Sequence, residues 1–116
     1  MRVFVYYNIH KRTWSIKALE GPDKGRIVAH SDHVLLHGAV GRVSEAGRQR
    51  VLRDKCKNVH AGIVGHLVHT GGEGYFPGLE VTYNPYKYKS FVYTDTLEPY
   101  HASVYAYMDN RRVYVQ

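Results

Sequence analysis

A chain of 116 residues, 44% hydrophobic and 22% charged, is one domain's worth of sequence that can bury a core, which excludes a disordered or collagen-like polymer. Sixteen Lys and Arg against ten Asp and Glu leave a net charge of +6, which favours an anionic partner, and the lone Cys56 excludes an internal disulfide and any multi-cysteine zinc or iron-sulfur site. No apolar run approaches the roughly 18 residues of a membrane helix, and Met1 to Asn8 offers no signal core, so the composition reads as a soluble cytoplasmic protein without a membrane partner.

Arg2 to Ile9 is dense in β-branched and aromatic residues, with Val3, Val5, Tyr7 and Ile9 on one face, and reads as a strand. Thr13 to Leu19 sets Trp14, Ile16 and Ala18 against Ser15 and Lys17, a half-buried alternation that pairs with the first strand as a hairpin. Pro22-Asp23-Lys24-Gly25 is turn chemistry before a short strand over Arg26 to His30. After the break at Ser31-Asp32, His33 to Val43 reads as a fourth strand whose glycines imply a bulge or bend.

Ser44 is placed to cap a helix, with Glu45 in its first turn, Lys55 and Lys57 in its last, and Asn58 as a left-handed stop. On that helix Val51, Leu52 and Cys56 share one arc and Arg50, Arg53 and Lys57 the opposite one. Cys56 then packs inward, whereas Arg48 and Lys55 point into the apolar arc and must snorkel. Asn58 to Thr70 fits a central strand, and 71–74 a glycine-rich loop. Nine of the eleven tyrosines follow from Tyr75 on, in what reads as a β-meander closed by a hairpin at Asp109-Asn110. The expected fold is α+β, a mostly antiparallel sheet with one basic helix (about 44–57) packed on it, in a single domain over 1–116. The loop at 71–74 is the only candidate boundary, between a ββββα-β part (1–70) and a Tyr-rich extension (75–116).

Between Arg42 and Lys57 six basic residues face two acids, +4 of the chain's +6. Arg42, Arg48, Arg50, Arg53, Lys55 and Lys57 are therefore candidate phosphate ligands, against the plainer reading of a solvated helix face. Lys87 and Lys89, alternating with Tyr86, Tyr88 and Tyr93 around Phe91, suit base stacking over a sheet, although tyrosines also simply favour strands. The same three tyrosines would anchor a protein interface. Eight histidines invite a metal or acid-base reading. His33 and His37 lie about 13 Å apart along one strand, too far to close on one ion, and His66 and His69 differ in strand parity. No metal and no cofactor are expected unless histidines from different strands converge. A metal-independent nuclease needs two histidines and a cation, for which His60 and His66, of equal parity, are the test pair.

The segments Arg2-Val-Phe-Val-Tyr-Tyr-Asn, Gly25-Arg-Ile-Val-Ala-His, Val43-Ser-Glu-Ala-Gly-Arg-Gln-Arg-Val-Leu-Arg, Lys57-Asn-Val-His-Ala and Val81-Thr-Tyr-Asn-Pro-Tyr resemble small uncharacterised phage and prophage accessory proteins. The resemblance covers most of the chain and carries no functional residue with it. It implies a setting in the host cytoplasm, where small basic phage proteins act on host machinery, anti-CRISPR proteins being one such class. Binding to nucleic acid or to a host nucleoprotein complex, as an inhibitor of host defence would bind it, is the favoured reading. The alternatives are an inhibitor of a protein target alone and a His-dependent nuclease.

Overall fold

A computed structural model describes residues 1–72 and 76–116; Tyr75 and the Glu73-Gly74 half of the expected loop lie outside the described residues. The elements are β1 (Arg2–Asn8), β2 (Thr13–Ala18), β3 (Ile27–Ser31), β4 (His33–Val43), α1 (Glu45–Asp54), β5 (Ala61–His69), β6 (Leu79–Thr82), β7 (Val92–Tyr93), β8 (Ala102–Asp109) and β9 (Arg112–Val115). The strands form one sheet in the order β3-β2-β1-β5-β4-β8-β9-β6-β7, with every pair antiparallel. Mostly antiparallel sheet with one helix is therefore the architecture that the alternating sequence pattern implied. Strands from both sides of the glycine-rich stretch join the same sheet.

Alternation decides which face each strand buries. Val3, Val5, Ile16, Val34, Leu36, Ala106 and Met108 are fully shielded from solvent and point to one side, where each large aliphatic chain contributes roughly 1.5–3 kcal/mol. The core is continuous from Trp14 on β2 to Val81 on β6. A flat sheet could not join its ends in this way. Arg111, in the β8–β9 turn, lies 5.0 Å over the Tyr7 ring on β1, although two strands separate β1 from β8 in the sheet, so the sheet rolls over its inner face.

The bulge expected in β4 falls at Gly38, whose φ of +64° suits a residue without a Cβ. It shifts the β4–β5 register between His37 and Val40.

The helix departs from the expectation at its C-terminal end. Ser44 does cap it, its Oγ accepting from the Gly47 amide at 3.2 Å. Lys55, not Asn58, is the left-handed residue, at φ 54°, and its N–H donates to the Val51 carbonyl at 2.8 Å. The Ser44 amide also donates to the His60 carbonyl at 2.7 Å, so the chain must leave the helix early to return to the start of β5. Cys56 and Lys57 consequently stand beyond the helix, and Cys56 is exposed rather than packed. The helix leans on His60 and the 84–90 segment and not along the face of the sheet. A Cβ on Gly47 would sit 2.5 Å from the His60 Cβ, which is why a poor helix former stands in this helix.

Candidate nucleic-acid interface

The outer face of the sheet is built by the residues that alternate with the core. On β1 these are Arg2, Phe4, Tyr6 and Asn8, since Val3 and Val5 point inward. The Phe4 and Tyr6 rings are half-buried, with centroids 6.0 Å apart and planes tilted by 32°. Gly62 on β5 lies beneath Phe4: a Cβ there would meet the Phe4 ring at 2.7 Å and press on the Val5 carbonyl oxygen. Lys17 on β2 is the direct register partner of Phe4.

Next to Phe4 the surface sinks into a shallow depression of about 220 Å³. Lys17 and Arg42 stand on its rim, and Ser44 and His60 close the side nearest the helix. A second depression, of about 440 Å³ between Pro77 and Gln116, has no ionisable side chain in its lining, so the first is the candidate for an anionic ligand.

Which cations remain available follows from their partners. The buried Arg48 donates from Nε to the carbonyls of Pro85 and Tyr88, both at 3.1 Å, and from Nη1 to Glu45 at 3.1 Å. Arg53 makes two hydrogen bonds to Asp54, at 2.9 and 3.2 Å, and Arg112 lies 3.6 Å from Glu80. A hydrogen bond from Gln49, and then the Arg48 charge, hold the Glu45 carboxyl below the usual range; the bond from Arg53 does the same for Asp54. Among the described residues Lys17, Arg42, Arg50, Lys55, Lys57, Lys87 and Lys89 have no carboxylate partner. Lys89 lies near enough to Glu45 to help lower its pKa, so the 84–90 segment brings this lysine to the helix side of the molecule.

With this geometry in place, comparison with known proteins supplies the lineage. Over residues 1–116 the chain matches the family described as Mycobacterium phage L5 gene 82 protein. It is 42% identical over 119 residues to the Gene 82 protein of Mycobacterium phage L5, covering 97% of this chain and 94% of that protein. The chain belongs to the L5 gene 82 protein family. The resemblance to phage proteins is thus borne out, and no solved structure matches this family member.

Several of the sequence candidates stand elsewhere in the gene 82 fold than the spacing suggested. Tyr86, Lys87, Tyr88 and Lys89 do not alternate along a strand. The amides of Lys87 and Tyr88 both donate to the Asn84 carbonyl, at 3.1 and 2.9 Å, and Asn84 Oδ1 accepts from the Tyr86 amide at 2.9 Å, which winds the segment into a turn. Tyr86 is 59% exposed there, whereas Tyr93 stands edge-on against the buried Tyr100 at 5.8 Å. The rings that do share a strand face with cations, Phe4 and Tyr6, are ones the sequence reading passed over. The signal for them was the alternation of β1, in which every second residue must face away from the valines.

No group of three or more potential metal ligands forms among the described residues. His60 Nε2 faces the Tyr83 hydroxyl at 2.8 Å and its Nδ1 faces the Asn58 side-chain oxygen at 3.0 Å. His66 lies six residues further along, about 20 Å away, so the nuclease test pair does not converge. His33 Nδ1 is 3.1 Å from Asp109 and 3.2 Å from the Tyr107 hydroxyl. The parity argument that separated His66 from His69 fails, because the register slips between Leu35 and Leu36: His69 comes to stand opposite Leu35, and both histidines face outward.

No helix among the described residues is long and apolar enough to cross a membrane.

Proposed function

We propose that this gene 82 family member binds single-stranded nucleic acid on the outer face of its sheet, with Phe4 and Tyr6 stacking bases and Lys17 and Arg42 holding phosphates. One observation carries the reading: the half-buried Phe4 ring lines one depression together with two cations that have no carboxylate partner among the described residues, and the Tyr6 ring stands next to it on the same strand face. Base stacking on aromatic rings tolerates any sequence, and phosphate contacts supply the affinity. Arg50, Lys55, Lys57, Lys87 and Lys89 extend the positive field toward the helix side and steer the strand in. In a phage setting the strand is one that a host nucleoprotein complex presents, and occupying it blocks that complex, the action of an anti-CRISPR inhibitor.

The test is fluorescence anisotropy with labelled single-stranded and duplex oligonucleotides. The single strand should bind more tightly, and Phe4→Leu or Tyr6→Leu should each weaken it by about 1–3 kcal/mol while leaving duplex binding nearly unchanged. Equal affinity for both forms, with no loss in either variant, would refute stacking. Absence of any binding at low salt would favour a protein target, for which the exposed Tyr86 is the natural anchor.

A further inference from the structure

Beside the basic depression the outer face carries a second, separate chemistry. His37 on β4 and His66 on β5 are direct register partners, and both side chains are exposed. Partners of this kind on antiparallel strands hold their Cβ atoms about 4.5–5.5 Å apart, close enough for two imidazoles to converge on one point above the sheet. The His66 ring leans toward β4: its Cδ2 is 3.9 Å from the place a Cβ would occupy on Gly38, the residue next to His37. Across β4, Tyr105 on β8 is the other register partner of His37, with ring centroids 5.3 Å apart, so His37 is flanked by a phenol on one side and by His66 on the other. Neither imidazole has a hydrogen-bond partner among the described residues, unlike His30, His33 and His60, whose ring nitrogens are engaged.

We propose that His37 and His66 form a two-imidazole site for a divalent transition-metal ion: copper(II), nickel(II) or zinc(II). Imidazole nitrogen suits these borderline ions, which it binds at about 2.0–2.1 Å in the zinc case, whereas magnesium and calcium ask for oxygen. The chain supplies two ligands and water fills the other positions, so the site is open and its affinity follows the general order with copper strongest. Sequence spacing conceals such a pair. His37 and His66 are joined only because β5 lies between β1 and β4 in the sheet.

The test titrates the tag-free chain with copper, nickel and zinc chloride in a non-chelating buffer, by calorimetry and by the electron paramagnetic resonance of the copper complex. We expect a single ion bound with two nitrogen ligands, and at least about tenfold weaker binding in His37→Gln and in His66→Gln, the low end of what the loss of even an outer partner of a ligand costs. His69→Gln, altering another outward histidine on β5, should change nothing, and magnesium should not bind. Both substituted side chains are exposed, so the variants keep the fold, which circular dichroism verifies. No transition-metal binding, binding that survives both substitutions, or an equal loss in His69→Gln would overturn the assignment.

Discussion

Arg48 on the helix and Arg42 at the end of β4 carry the same guanidinium a few residues apart, and the fold uses them in opposite ways. Arg48 is 9% exposed and fastens the helix to the 84–90 turn through two carbonyls. Arg42 stands exposed on the rim of the depression with no carboxylate partner among the described residues. The lesson concerns charge that is counted against charge that is free. The helix itself, Glu45–Asp54, holds three arginines and two acids, a net of +1, and two of those arginines are tied to those acids. The cations best placed for an anion come from the sheet, where Lys17 and Arg42 flank an aromatic ring.

The largest way to break this contrast is to remove the fastening. Arg48→Ala strands the Pro85 and Tyr88 carbonyls and should cost about 2–3 kcal/mol in denaturant unfolding. Gly47→Ala should also destabilise, by about 1–3 kcal/mol, because steric pressure on His60 exceeds the gain in helix propensity. A reversed sign would mean that the helix does not press on the start of β5.

Alkaline titration probes the ground beneath the helix and the core beyond it. Burial pushes the Tyr83 and Tyr100 hydroxyls above their ordinary value of 10.0. As pH rises the unfolded chain therefore loses these protons first. The stability they contribute is full below about 10 and falls as pH climbs from there toward the folded values. Tyr100→Phe should blunt that fall in unfolding midpoints measured against pH, at the cost of the 2.7 Å hydrogen bond between the Tyr100 and Ser103 hydroxyls. Smallest of all, Arg53→Ala should leave the unfolding midpoint nearly unchanged, since its partner Asp54 is a surface carboxylate and solvent screens the pair.

Much of the fold was legible because it is local. The alternation of β1 and β2, the turn chemistry before β3, the limits of β4 and the Ser44 cap all depend on residues within a few positions of one another. So does the closing hairpin, where Asn110 and Arg111 take positive φ between the paired Asp109 and Arg112. What escaped depends on distant partners. Tyr86 to Lys89 read as strand because the Arg48 guanidinium that holds their turn comes from elsewhere in the chain. The helix stop at Lys55 has no glycine to mark it, and the end was set by the need to reach His60. For the candidate site the face of Phe4 and Tyr6 followed from periodicity, but its openness, and the meeting of His37 with His66, required the order of strands.

The most direct test compares two double variants that each lower the net charge by two. Lys17→Ala with Arg42→Ala removes the free cations at the depression; Arg53→Ala with Arg112→Ala removes cations already paired with acids. Affinity for a labelled single strand is then measured over a range of salt concentrations. With each phosphate contact contributing about 0.7 to the logarithmic slope, we expect the first variant to lose about 1.4 and the second to keep the slope of the native protein. Equal slopes in the two variants would contradict the assignment of phosphate binding to Lys17 and Arg42.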